Sequence, residues 1–195
     1  MPERRGPVVA ALAFAAGLLW AACGTAEPVA AHPPAPALLL EMPAHRLLVD
    51  AMDRAGHRAA PFVTDGCSGG LSSAWLAIAH LLPTFAETHA EHPPWETCCV
   101  THDRAYHAAG GALTAEDSHL ARLHADEALR ICVRDTGALR TPQLMESYQL
   151  TEAQIIAAYG LIAEAMFNAV RLGGGPCSGL PWRWGYGYPG CLRPN

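Results

Sequence analysis

The sequence predicts a mainly α-helical domain held by disulfides, and three observations carry that prediction. Apolar residues recur at helical spacing in several segments, two of which end in runs of glycine. No stretch shows a convincing strand pattern, and no internal repeat is present. Of seven cysteines, Cys23 stands apart near the N-terminus, and the other six form an even set consistent with three bridges in an oxidising compartment. A zinc site is not indicated, because no C-x₂-C spacing occurs.

The N-terminal residues point to export. Glu3-Arg4-Arg5 supplies a positive region, and Val8 to Trp20 is an uncharged apolar run of thirteen residues. A membrane-spanning helix needs ~20, so the run fits a signal peptide. Ala21-Ala22-Cys23 then offers small residues before a cysteine, the arrangement of a lipoprotein processing site at which Cys23 would be acylated. Trp20 stands where such sites usually carry leucine, so plain secretion is the alternative. The expected organisation is a signal peptide over 1–23, a Pro/Ala-rich linker over 24–40 and one domain over 41–195. The expected location is the periplasm or the outer membrane as a lipoprotein, or otherwise the medium.

Within the domain, residues 43–55 predict a short amphipathic helix with Leu47, Leu48 and Met52 on one side. Residues 65–70 (DGCSGG) read as a glycine-rich loop. The helical pattern from Thr97 to Ala109 stops at Gly110-Gly111. Thr114 then caps a second helix, with Asp117 as a shorter stand-in for the usual glutamate of a capping box. That helix is expected to run to about Val133, with Leu120, Leu123, Ala128, Leu129 and Cys132 near one stripe. Thr151 opens a third, carrying Ile155, Ile156, Tyr159, Ile162, Ala163, Met166 and Val170, and Gly173-Gly174-Gly175 ends it. The tail aromatics Trp182, Trp184, Tyr186 and Tyr188 either pack as core under a Cys177–Cys191 loop or meet a lipid interface.

Composition narrows the function classes. A chain of 195 residues suits one domain with a real core. Net charge is −5 and the pI is near 6.0. No nucleic-acid partner is therefore expected, and the domain is read as a monomer.

The stretch that carries chemistry is Cys98-Cys99-Val100-Thr101-His102-Asp103-Arg104-Ala105-Tyr106. On a helix, Cys98, His102 and Tyr106 share one row, while Cys99 and Asp103 share the next. This pattern resembles the active-site helix of secreted phospholipases A2, C-C-x-x-H-D-x-x-Y. Ala105 replaces a cysteine that the family often has before the tyrosine, so one of its disulfides is missing. Thr64-Asp65-Gly66-Cys67 resembles the Ca²⁺ loop of the bacterial branch, and Asp126 preceding Cys132 by six positions resembles the second helix. The resemblance spans roughly residues 60–135.

The resemblance implies a phospholipase A2-like core with two antiparallel central helices and long loops. It implies a Ca²⁺-dependent hydrolase of phospholipid esters, with a phospholipid or membrane surface as partner. His102 would be the general base, Asp126 would fix its tautomer, and Tyr106 would join the aspartate network. Asp103 would bind Ca²⁺ with the carbonyl of Gly66 and either the Asp65 carboxylate or further loop carbonyls. Asp65 could instead simply initiate a turn. The disulfides implied are Cys98–Cys132 and Cys67–Cys99, leaving Cys177–Cys191. With Cys98 bonded to Cys132 across antiparallel helices, Asp126 falls within ~3 Å of the level of His102 along the axis. Asp117 falls a further turn or more away.

Three rival readings stand beside this one. The fold could serve as a non-catalytic envelope module that binds lipid or has a structural role. Gly66-Cys67-Ser68-Gly69-Gly70 formally matches the nucleophile elbow of serine esterases, but only Pro61 to Thr64 could supply the strand it needs. His107, His119 and His124 could suggest a transition-metal cluster, but they lack a matched ligand set and are expected on solvated helix faces.

Overall fold

Six α-helices and one 3₁₀ turn account for the regular structure of the computed structural model, which describes residues 35–67 and 71–191. No strand occurs among the described residues. The helices are α1 (Ala35–Arg54), α2 (Leu71–Leu81), α3 (Pro83–His89), α4 (Glu96–His107), α5 (Ala115–Tyr148) and α6 (Glu152–Gly173). The 3₁₀ turn, Ala109–Gly111, links α4 to α5. The leader with Cys23, residues 24–34 of the expected linker and Ser68 lie outside the described residues.

Helix α5 is the spine of the domain. Thr114 caps it as expected: its Oγ1 accepts the Asp117 N–H at 3.1 Å, and its hydroxyl donates to the Asp117 carboxylate at 2.8 Å. The helix does not stop near Val133 but continues to Tyr148, through Gly137 and Pro142. A proline inside a helix costs about 3 kcal/mol in isolation, so tertiary contacts must hold this one. They come from either side of it: Arg140 donates to the Thr88 carbonyl at 2.6 Å, and Gln143 to the same carbonyl at 3.1 Å. Gly137 is required by packing, since a Cβ there would lie 2.4 Å from Cγ of Tyr159 on α6.

The buried stripe of α5 also differs from the expected one. It runs through Ala115, Ser118, His119, Arg122, Asp126, Leu129, Val133, Gly137, Thr141 and Leu144. Leu120 is 49 % exposed and Ala128 is exposed, although both were expected near the stripe. More than half of the inward positions are polar or glycine, so an apolar period understates this helix.

Helix α1 starts eight residues earlier than expected and takes in Pro43 and the last six residues of the expected linker. Leu48 and Met52 are buried, whereas Leu47 is 40 % exposed. The turn before Pro43 is anchored through Glu41, which pairs with Arg122 and Arg171. Helices α2 and α3 were not anticipated; α3 begins at Pro83, a residue suited to a first helical position.

α6 opens on Thr151 with a full capping box to Gln154, as expected. Ile155, Tyr159 and Ala163 are buried, while Ile156 faces out at 43 % exposure. It runs antiparallel to α5, since Tyr159 meets Gly137, Glu164 meets Arg130 and Arg171 meets Asp126.

Three disulfides form: Cys67–Cys99, Cys98–Cys132 and Cys177–Cys191. Helices α4 and α5 are antiparallel, because Cys98, His102 and Tyr106 meet Cys132, Asp126 and Arg122 in descending order. Gly110 turns the chain between them at φ 63°, and a Cβ there would stand 2.6 Å from Cβ of Ala121. In the tail, Trp184 is fully buried, edge-on to Tyr106, and its indole N–H donates to Ser118 at 2.9 Å. The tail therefore packs as core at this position.

Candidate active site

Helical periodicity puts His102 and Tyr106 on one row of α4, and the Cys98–Cys132 bridge sets that row against α5. The consequence is a buried polar cluster centred on Asp126, which has no solvent-exposed side-chain surface. His102 Nε2 lies 2.9 Å from Asp126 Oδ1, and the Tyr106 hydroxyl donates to the same oxygen at 2.7 Å. Arg171 donates to Asp126 Oδ2 at 3.0 Å, and Arg122 Nε lies 4.0 Å from that oxygen. Arg122 Nε also donates to the Tyr106 hydroxyl at 3.3 Å.

These bonds select a tautomer. An ionised carboxylate only accepts hydrogen bonds, so the histidine nitrogen facing Asp126 must carry a proton. In the neutral ring the lone pair is then on Nδ1, which lies 3.9 Å from the nearer oxygen of Asp103. Burial disfavours the charged ring, but Asp103 and Asp126 outweigh it and raise His102 above the ordinary histidine value. Tyr106 is raised chiefly by burial, with Asp126 adding to it, so the phenol stays protonated and acts as a donor.

Two cavities meet at this helix. One of about 280 Å³ is lined by His102, Asp103 and Tyr106 and otherwise by apolar side chains, including Leu71, Leu129, Met166 and Val170. A second, of about 240 Å³, is lined by Asp65 and Asp103 with Thr64, Tyr186 and Trp182. Asp103 and Trp182 border both. Around the second, the Thr64 hydroxyl donates to Asp103 Oδ2 at 2.6 Å and accepts the Gly66 N–H at 3.1 Å. Gly66 adopts φ 79°, and a Cβ on it would lie 2.5 Å from Glu96 Oε1, so glycine is required. Tyr186 is pushed up to about 12, by burial first and then by Asp103 and Asp65.

The sequence-selected residues thus fall into two groups that meet at α4. His102, Asp126 and Tyr106 form a bonded cluster, and Asp103 and Asp65 face a shared cavity beside it, with Gly66 in the adjoining loop. Sequence reasoning missed Arg122, Arg171, Thr64 and Glu41. Arg122 is legible in principle, since it precedes Asp126 by one helical turn. Arg171 carries no such signal, because only the fold brings it 45 positions back to Asp126.

The histidines need correction. His124 is exposed as expected, but His107 and His119 are buried at 7 % and 2 % exposure. His107 packs edge-on against Phe62 and Tyr186. His119 sits on the inward face of α5 beside His45 and Glu41 of α1. Among the described residues, Glu41, His45 and His119 are the one set of three metal-ligating side chains whose donor atoms lie within 4.8 Å of one another.

No protein-family profile, no curated protein and no solved structure matches this chain.

Proposed function

We propose that the protein is a phospholipase A2-like, Ca²⁺-dependent hydrolase of phospholipid acyl esters. The observation that carries this reading is the orientation of His102: its Nε2 is held by a buried carboxylate, and its ring borders a mainly apolar cavity. Such a ring is a general base with one nitrogen committed and one available. Nδ1 would take a proton from a water as that water attacks the acyl carbon. The same proton would go to the departing alkoxide as the ester C–O bond breaks, giving a fatty acid and an alcohol. Asp126 keeps the ring in place and stabilises the imidazolium between these transfers, while Tyr106 and Arg171 hold the Asp126 carboxylate.

The residues beside His102 suit Ca²⁺. Asp103 and Asp65 offer carboxylates to one cavity, which Val63 and Thr64 of the same loop also line, and carboxylates and loop carbonyls are both hard oxygen donors. Asp103, Asp65 and the carbonyl of Gly66 would hold the ion, which when bound supplies Lewis-acid stabilisation of the oxyanion and a partner for the phosphate.

The lipid partner is supported by α6. It lines the larger cavity through Ala165, Met166 and Ala169, and its outer face presents Leu161 and Leu172 at 63 % and 88 % exposure. A helix that lines the cavity while showing leucines outward is suited to a membrane surface. By length and composition α6 is also apolar enough to cross a membrane, but its inward stripe packs on α5. The three disulfides agree with an exported protein, periplasmic or secreted, and with acylation of Cys23 as its tether.

The test is fatty-acid release from mixed phospholipid vesicles by the oxidised protein, with Ca²⁺ and then with EDTA. Release that stops in EDTA and in His102→Gln is the expected result. Vesicle binding without turnover would favour the non-catalytic lipid-binding module. Release that survives EDTA but not Ser68→Ala would favour a serine esterase.

A further inference from the structure

The buried histidines between α1 and α5 have unmet hydrogen-bonding capacity. His45 has no exposed side-chain surface and His119 only 2 %. His45 Nε2 and both ring nitrogens of His119 have no hydrogen-bond partner among the described residues. Buried polar atoms are almost always paired, so three orphans in one place call for an occupant. All three belong to side chains that adjoin one carboxylate. Glu41 Oε2 lies 3.8 Å from His45 Nε2 and 3.4 Å from His119 Nδ1.

We propose that Glu41, His45 and His119 form a binding site for a divalent transition metal, Zn²⁺ by donor chemistry, separate from the proposed Ca²⁺ loop. Two imidazoles and a carboxylate are donors that Zn²⁺ uses in three-ligand sites, with a fourth position left to water. Ligands ~2.0–2.2 Å from a tetrahedral ion lie ~3.4 Å from one another, close to the 3.8 and 3.4 Å from Glu41 Oε2 to the two histidines. Glu41 and His45 are one helical turn apart on α1, so both reach one point, and His119 closes the set from α5.

The surrounding bonds prepare the donors. Ser118 Oγ lies 2.9 Å from His45 Nδ1 and accepts the Trp184 indole N–H. With His45 donating through Nδ1–H to that oxygen, its Nε2 lone pair faces Glu41, the orientation that ligating histidines adopt. Arg122 Nη1 and Arg171 Nη2 bond Glu41 Oε2 and Oε1 at 2.8 and 2.6 Å. They hold the carboxylate still, and each oxygen retains a second lone pair. Their charge also opposes a dication, so the site should bind more weakly than an all-cysteine structural site. Glu41, at 23 % exposure, supplies the way in.

The experiment titrates Co²⁺ into untagged, metal-stripped protein without Ca²⁺ and reads the visible ligand-field bands. One equivalent should give the bands of a low-coordinate, nitrogen-ligated ion, and Zn²⁺ should displace it. Because neither ring nitrogen of His119 is hydrogen-bonded, His119→Gln removes no hydrogen bond and should fold. It should weaken Co²⁺ binding by more than about 100-fold, while His92→Gln on the exposed surface leaves binding unchanged. Bands that persist in His119→Gln, or that disappear in His92→Gln, would overturn the site. Should His119→Gln fail to fold, the wild type alone decides: no ligand-field bands, or no rise in Tm with Zn²⁺, overturns it.

Discussion

The two halves of α5 bury opposite kinds of side chain. From Ala115 to Asp126 the inward positions are Ala115, Ser118, His119, Arg122 and Asp126, polar but for the first; from Leu129 onward they are Leu129, Val133, Gly137, Thr141 and Leu144, mostly apolar. The first half packs against α4, α1 and the end of α6 through ion pairs and hydrogen bonds. The second packs against Trp95, Ile155, Tyr159 and Ala163 through apolar contact. Ion pairs in a low-dielectric interior set orientation, and their net stability is small because desolvation opposes it. Apolar burial is less particular about angle and contributes about 25 cal/mol per Å². One helix thus separates aiming from holding, and both proposed sites draw on its aiming half, through Asp126 and His119.

Substitutions in each half should separate these roles. The largest effect is expected from His102→Gln, which should lower vesicle hydrolysis by about 10²–10⁴-fold, measured as initial fatty-acid release. The unfolding midpoint should move far less than the rate; a comparable collapse in stability would show that His102 holds rather than acts. Asp126→Ala leaves Arg171 and His102 without their shared acceptor and should cost about 3–5 kcal/mol in urea unfolding. In the apolar half, Gly137→Ala drives a methyl into Tyr159 and should cost about 1–3 kcal/mol with per-molecule hydrolysis retained. On the exposed side, Glu164→Gln loosens Arg130 and Arg134 and should cost no more than about 1 kcal/mol.

A pH series adds a further contrast. His89 bonds Tyr148 at the end of α5, and burial followed by Arg140 lowers it from 6.5 to about 4. The unfolded chain therefore binds more protons between those values, and stability rises with pH across that window. The contribution is complete above about 6.5 and lost as pH falls towards about 4. Urea midpoints of wild type and His89→Gln should converge at the acid end, and parallel curves would exclude this residue as the source.

How much of this was legible depends on how local the cause is. His102, Asp103 and Tyr106 could be placed on adjacent rows because helical period alone decides it, and the bridge to Cys132 fixed the level of Asp126. The caps at Thr114 and Thr151 were legible for the same reason, as each hydroxyl bonds a residue three positions on. The second half of α5 was not, because glycine and proline read locally as breaks and only Tyr159 and Thr88, far along the chain, explain them. Pro43 hid the start of α1 in the same way. The Glu41–His45–His119 cluster was unreadable because its outermost members, Glu41 and His119, lie 78 positions apart, and a histidine among charges resembles a solvated face.

The adjacency of Cys98 and Cys99 has a mechanical consequence. Neighbours on a helix are about 100° apart around its axis, so the two bridges pull α4 in different directions, one towards Cys132 and one towards Cys67. A single tether would allow α4 to roll about its own axis; two at unlike azimuths do not. Each tether lies one turn below a functional group, Cys98 below His102 and Cys99 below Asp103. Rolling would exchange what these two side chains face, so the paired cysteines act as a rotational lock on the aim of His102 and of Asp103 beside it.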